Sequence, residues 1–242
     1  MSSLREWLRE GPFTLGLSSG FFGFFAHAGV LSVLEEERLL PAALCGSSAG
    51  ALVAGLFAAG VPSAQIRAEL LELRREHFWD PRPGFGLLRG QLFRERLQRI
   101  LPVREFAQCS RPLAVSVFDL LARKTVVLKG GELAPALHAS CAVPLLFHPV
   151  RITGRLYADG GVLDRHGLLG APPGRVLYHH LTSRSPWRRA GSAGLQVPAR
   201  EGLRAVALDG LPRLGPFRLQ RAGEAMDAAA FGMRAALDQP AT

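Results

Sequence analysis

At 242 residues and 48% hydrophobic content, the chain can bury a full core and reads as one α/β domain over residues 1–242. Its net charge of +9, nearly all arginine, reads first as a well-solvated basic surface and second as steering toward an anionic membrane surface; the basic residues lack the interleaved aromatics of a nucleic-acid module, so no nucleic acid is expected. No apolar run approaches the roughly 20 residues that span a bilayer, and residues 1–12 mix Arg5, Glu6, Arg9 and Glu10 without a secretory leader, which makes the cytoplasm the default location, with peripheral membrane contact beside it.

Residues 13–17 are an apolar run and predict a first buried strand, ending in Ser18, Ser19 and Gly20. Residues 24–39 have helical periodicity through Phe25, Ala28, Val30, Leu31 and Leu34. A second apolar run, 39–45, precedes Gly46-Ser47-Ser48-Ala49-Gly50, and a small-residue helix follows over 49–60. Further helices are expected at 62–77, opened by Pro62-Ser63, and at 93–101. Between them lies a rigid Pro/Gly loop, 80–86. Phe78, Trp79, Phe85, Leu87, Leu88 and Phe93 cluster around it, either packing helices or forming an apolar rim over a cleft. Residues 112–121 and 125–128 read as a hairpin, 133–141 as a short helix, and 150–152 with 155–157 as strands around the turn Thr153-Gly154. Strands at 176–181 and 203–208 bracket a basic, aperiodic stretch, 182–200, expected to be a mobile loop whose Trp187, Arg188 and Arg189 suit a lipid interface. An amphipathic helix closes the chain at 217–237. Strands alternating with helices predict a mainly parallel sheet covered on both faces. Cys45, Cys109 and Cys141 have no metal-ligand spacing and read as free thiols.

Gly46 to Gly50 reads G-x-S-x-G between a strand and a helix. That context would push the Ser48 hydroxyl out of the sheet above a helix N-terminus; the same pattern also serves as an ordinary turn into a packed helix. A nucleophilic serine needs an oxyanion site and a base. Backbone N–H groups of Gly20, Phe21, Phe22 and Gly23, at the first strand–helix loop, and of Ala49 are candidates for the first. A P-loop use of that glycine loop is weak, because no Lys-Ser/Thr pair follows. For the base, Ser48, Asp159 and His166, His179 or His180 satisfy triad order, although the serine comes early in the chain and His179-His180 lies inside a strand pattern. Alternatively Asp159, at a strand end before Gly160 and Gly161, serves directly. An ordinary carboxylate pKa near 4 makes a poor base, and burial would improve it.

Ser18-Ser19-Gly20-Phe21-Phe22-Gly23, Gly46-Ser47-Ser48-Ala49-Gly50 and Asp159-Gly160-Gly161 occur in the order and approximate spacing of the patatin-like phospholipase family. His27-Ala28-Gly29-Val30-Leu31 and residues 139–149 also resemble it, and the similarity covers residues 13–165. The resemblance implies a three-layer α/β/α patatin-like sandwich with a mainly parallel central sheet, and a serine lipid acyl hydrolase with a Ser–Asp dyad. By position Ser48 is similar to the family's nucleophile and Asp159 to its base. Gly20, Phe21, Phe22 and Gly23 match the oxyanion loop, aided by Ala49, with Gly46, Gly50, Gly160 and Gly161 supporting the motifs. Phospholipids, lysophospholipids or other fatty-acyl esters are the implied substrates, and no metal or organic cofactor is called for. The loop departs from the family: Ser18 and Ser19 stand where glycines are usual, and Phe21 and Phe22 occupy its middle, lining an acyl pocket or packing beneath. A side chain at a positive-φ position there would be strained by about 1–2 kcal/mol. A weak or inactive lipid- or protein-binding member of the fold, and a lipid transacylase, are the competing expectations.

Overall fold

The computed structural model describes residues 2–182 and 191–241. Along them run α1 (Leu4–Arg9), β1 (Thr14–Leu17), α2 (Phe24–Glu36), β2 (Ala43–Ser47), α3 (Ala49–Ala58), α4 (Ser63–Leu71) and β3 (Gly86–Leu88). There follow α5 (Gln91–Ile100), β4 (Leu113–Asp119), β5 (Lys124–Leu128), α6 (Leu133–Ser140), β6 (Leu145–Phe147), β7 (Val150–Ile152) and β8 (Arg155–Asp159). The chain closes with β9 (Val176–His180), β10 (Leu203–Ala207) and α7 (Ala222–Leu237).

The main sheet has the order β10-β9-β1-β2-β4-β8-β7, with β5 also on β4. β10, β9, β1, β2 and β4 are mutually parallel, whereas β5 and β8 run antiparallel to β4. Side chains alternate across it as strand geometry requires. Leu15, Leu17, Leu44, Val115 and Leu177 face the large core that the helices build, and Cys45, Ala114, Val176 and Tyr178 face a smaller one completed by Leu168. The result is a three-layer α/β/α sandwich whose layer over the smaller core is thin.

One detail of register positions the site. β2 pairs with Leu113–Ser116 of β4, and β8 pairs with Val117–Asp119. β5 already occupies the other edge from Val115 to Asp119. A strand has only two edges, so β2 and β8 share one. Because β2 is parallel and β8 antiparallel to β4, their carboxyl ends meet head-on beside Ser116 and Val117.

Several expected elements shift. The helix expected at 62–77 stops at Leu71; Arg96 donates to the Glu69 carbonyl at 2.8 Å and satisfies part of its last turn. The helix expected at 93–101 starts at Gln91, because Asp80 accepts the N–H groups of Gly90, Gln91 and Leu92. The Pro/Gly loop ends in β3 at Gly86, and β3 pairs in parallel with β6. The closing helix begins at Ala222. Helix α1, in the segment read only for a leader, is fixed by a capping box between Ser3 and Glu6. Trp187, Arg188 and Arg189 lie outside the described residues.

Candidate active site

Ser48 sits between β2 and α3 with φ 53° and ψ −120°. This conformation is sparsely populated for a residue with a side chain and costs on the order of 1–3 kcal/mol, so its surroundings must hold it. They do so through α6 and α3. The Ser48 N–H donates to Ser140 Oγ at 2.9 Å, and Ser140 Oγ donates to the Ser116 carbonyl at 2.8 Å. The Ser48 carbonyl accepts the Leu52 N–H at 3.0 Å and the Cys141 thiol at 3.3 Å. Close approach explains the motif glycines. A Cβ on Gly50 would collide with the Leu17 carbonyl, and one on Gly46 with the Gly50 backbone.

Asp159 ends β8, so the head-on arrangement carries it to Ser48. Ser48 Oγ donates to Asp159 Oδ2 at 2.6 Å, and the Gly161 N–H donates to Oδ1 at 2.7 Å. Gly160 has no room for a side chain against the Ser116 carbonyl, nor Gly161 against Ser19. Burial raises the Asp159 carboxyl from 3.8 to about 7, against the opposing hydrogen bonds from Ser48 and Gly161. A carboxylate of that basicity, already hydrogen-bonded to a hydroxyl, can accept its proton near neutral pH.

The loop after β1 answers the question its composition posed. Ser18 and Ser19 are not at positive φ; the strained position is Phe22, at φ 55°. Its ring packs against Phe21, Phe24 and Phe78, which holds that backbone. The Gly23 N–H is committed to the Gly20 carbonyl at 2.8 Å, and a Cβ there would strike Leu181. Gly23 therefore closes the turn and has no N–H left for a ligand. Among the described residues, the N–H groups of Gly20, Phe21, Phe22 and Ala49 donate to no protein acceptor.

Ser18 anchors this loop. Its N–H donates to the His179 carbonyl, its Oγ accepts the Leu181 N–H, and its carbonyl lies 2.8 Å from His27 Nε2. A carbonyl only accepts, so His27 carries its proton on Nε2 and offers Nδ1 as acceptor. His179 Nδ1, 2.8 Å away, must then be the donor. Both rings are buried, and burial lowers His27 to about 4 and His179 well below its ordinary value. Sequence reasoning missed this pair; the available signal was His27, placed four residues past Gly23 on the first turn of α2.

The histidines considered for a triad are engaged elsewhere. Tyr178 OH bridges His166 Nδ1 at 2.9 Å and His180 Nδ1 at 3.0 Å, and His179 holds His27. Among the described residues, Ser48 Oγ and Asp159 hydrogen-bond to no histidine. No group of three or more His, Cys, Asp or Glu among those residues is placed to hold a metal ion.

Ser48 opens into an apolar cavity of about 120 Å³, lined by Phe21, Phe22, Leu52, Leu97, Phe147 and others. Phe78, Trp79, Leu88 and Phe93 also line it, while Phe85 and Leu87 point into solvent. Its wall includes one polar cluster, in which Arg96 pairs with Glu69 at 2.8 Å and approaches His77 at 3.1 Å. No helix among the described residues is long and apolar enough to cross a membrane.

Comparison with known proteins agrees with this architecture. A family model described as patatin-like phospholipase matches residues 15–171. An uncharacterized NTE family protein of Mycobacterium tuberculosis is 35% identical over 153 residues, covering 62% of this chain and 42% of that protein. The 1-acylglycerol-3-phosphate O-acyltransferase Pnpla3 of Mus musculus is 31% identical over 166 residues, covering 63% of this chain and 40% of that one. The chain thus spans about two fifths of the length of these relatives. Among solved structures, VipD from Legionella pneumophila superposes with a TM-score of 0.57 at 14% identity, covering 94% of this chain and 67% of VipD. That last likeness is one of fold.

Proposed function

This chain belongs to the patatin-like phospholipase family, and from that premise we propose that it is a lipid acyl hydrolase acting through Ser48 and Asp159. The observation that carries the reading is the 2.6 Å hydrogen bond from Ser48 Oγ to Asp159 Oδ2 beside an apolar cavity. Ser48 Oγ attacks the carbonyl carbon of a fatty-acyl ester while Asp159 accepts its proton. The oxyanion forms within reach of the N–H groups of Gly20, Phe21, Phe22 and Ala49, with the α3 N-terminus adding a favourable field. The tetrahedral species expels the alcohol, which takes the proton from Asp159, and leaves an acyl-enzyme. Water, deprotonated by Asp159, attacks the acyl carbon; the bond to Ser48 Oγ breaks, Asp159 returns the proton to Ser48, and the fatty acid leaves. The cavity suits acyl chains of phospholipids, lysophospholipids or related lipids, because its lining offers apolar contact with little to hydrogen-bond.

A second reading, transfer of the acyl group to an alcohol instead of water, draws support from the acyltransferase named among the relatives. Product analysis with a glycerol-based acceptor separates the two. The hydrolase reading is tested by fluorophosphonate labelling of the wild type against Ser48→Ala, with circular dichroism to show that both fold. Labelling and ester hydrolysis should vanish together in the variant; equal activity in both proteins would refute the assignment.

A further inference from the structure

Next to residues of the cavity wall, apolar side chains stand in water. Phe85 is 85% exposed, Leu145 73%, Phe21 52% and Leu87 50%. They are gathered rather than scattered. β3 and β6 pair with Gly86 opposite Leu145, so Phe85 and Leu87 flank the residue that faces Leu145. The same ribbon sends Leu88, Leu146 and Phe147 into the cavity wall, which Phe21 also lines. Single exposed apolar residues are ordinary on a protein surface; a cluster on a ribbon that also walls an apolar cavity marks a contact surface.

The charges beside the ribbon indicate what it contacts. The Arg82 N–H donates to the Leu87 carbonyl and the Arg89 N–H to the Asp80 carbonyl, both at 3.0 Å, which sets these arginines along the ribbon. Both are exposed, and neither has an ion-pair partner among the described residues. Between Asp80 and Glu95 the sequence has no acidic residue, and the Asp80 carboxylate is spent on the N-terminus of α5. Near the cavity Arg75 lies over both Trp79 and Phe217, 5.3 Å from each ring centroid. Trp79 lines the cavity, and Phe217 is exposed. Apolar tips with basic flanks match the interface of an anionic bilayer, where side chains enter the acyl region and guanidinium groups meet phosphates. A second copy docked on this face would bring like charges together.

We propose that the β3–β6 ribbon, through Phe85, Leu87 and Leu145 with Arg82 and Arg89, is a docking surface for anionic lipid membranes. It seats the cavity opening on the bilayer, so that an acyl chain passes toward Ser48 without crossing water. The proposal rests on the lipid-hydrolase reading, but its test does not depend on turnover.

The test is sedimentation with vesicles of phosphatidylcholine alone and of phosphatidylcholine with phosphatidylglycerol. Wild type should sediment with the anionic vesicles, and Phe85→Ser/Leu145→Asn should lose partitioning by roughly tenfold or more. Asparagine suits Leu145 because its φ is 66°. Arg82→Glu/Arg89→Glu should lose the preference for anionic vesicles. Both variants should keep wild-type melting temperatures and wild-type hydrolysis of a water-soluble short-chain ester. Unchanged sedimentation of Phe85→Ser/Leu145→Asn would overturn the proposal, as would a wild-type dimer that this variant converts to monomers. Vesicle binding that the ribbon variants abolish, in a protein that fluorophosphonate never labels, would support the docking surface while removing the hydrolase reading.

Discussion

Ser140 Oγ accepts the backbone N–H of Ser48 at 2.9 Å. It donates its own proton to the Ser116 carbonyl, so a helix, a strand and the strained turn meet at one hydroxyl. Ser140 is fully buried, and among the described residues nothing else accepts that N–H.

Ser140→Ala should therefore loosen Ser48 without touching its hydroxyl. Orphaning a buried N–H costs about 1–3 kcal/mol. If the turn relaxes to avoid that cost, kcat should fall roughly ten- to hundredfold with KM little changed. Cys141→Ala should matter far less, because the Ser48 carbonyl keeps its bond from Leu52. Steady-state kinetics and fluorophosphonate labelling rates on the two variants check the order.

Asp159 should make catalysis and stability respond oppositely to pH. As a base it must be ionised, so kcat/KM should rise through about pH 7. The unfolded chain releases this proton near the ordinary value of 3.8, while the folded chain keeps it to about 7. Between those values the folded state binds more protons, and this group's contribution to stability falls as pH rises. Asp159→Asn should thus abolish most turnover yet raise Tm, more at pH 8 than at pH 5. Calorimetry across that range checks the sign.

The buried histidines act the other way in much of the same window. Burial lowers His27 to about 4, His138 to about 3, His180 below its ordinary value and His179 well below it. The unfolded chain takes up these protons near pH 6.5, so their contribution is present above that pH and is lost as pH falls toward 4. Four such groups outweigh Asp159. Urea titrations should show net destabilisation from pH 7 to pH 4.5, less steep in His27→Gln.

Arg38 offers a control remote from these chemistries. It follows α2 at φ 56°, where Leu39 N–H bonds back to the Leu34 carbonyl at 2.8 Å. That is a Schellman-type helix end, which favours glycine. Arg38→Gly should stabilise the fold by about 0.5–1 kcal/mol with unchanged kinetics, measured by urea unfolding.

Much of this was legible in the sequence because period and punctuation agree. The buried strands β1, β2 and β9 are short apolar runs, and Thr153-Gly154 announces the β7–β8 turn. What stayed hidden was long-range. The end of α4 is set partly by Arg96, and the start of α5 by Asp80, eleven residues before Gln91. β3 and β6 are three residues each, too short to show alternation. At the site, Ser48 and Asp159 were named from motifs, but Ser140 required knowing that α6 lies against the turn. The loop's composition marks Ser18, Ser19, Phe21 and Phe22 alike as departures without saying which lies at positive φ; the strain falls on Phe22, since φ is decided by the turn as a whole. By position Gly23 reads as a donor, but its N–H is consumed closing that turn.

The shared edge of β4 has a consequence for folding. Ser48 and Asp159 are 111 residues apart, and neither strand carrying them touches the other's reactive end until both have docked on β4. Contacts of such sequence separation form late and at high entropic cost. Under the dyad reading, reactivity toward a covalent probe is then a property of the finished sheet. Labelling sampled during refolding should lag behind the recovery of helical signal, and the labelled fraction should count native molecules where spectroscopy averages native and partly formed ones.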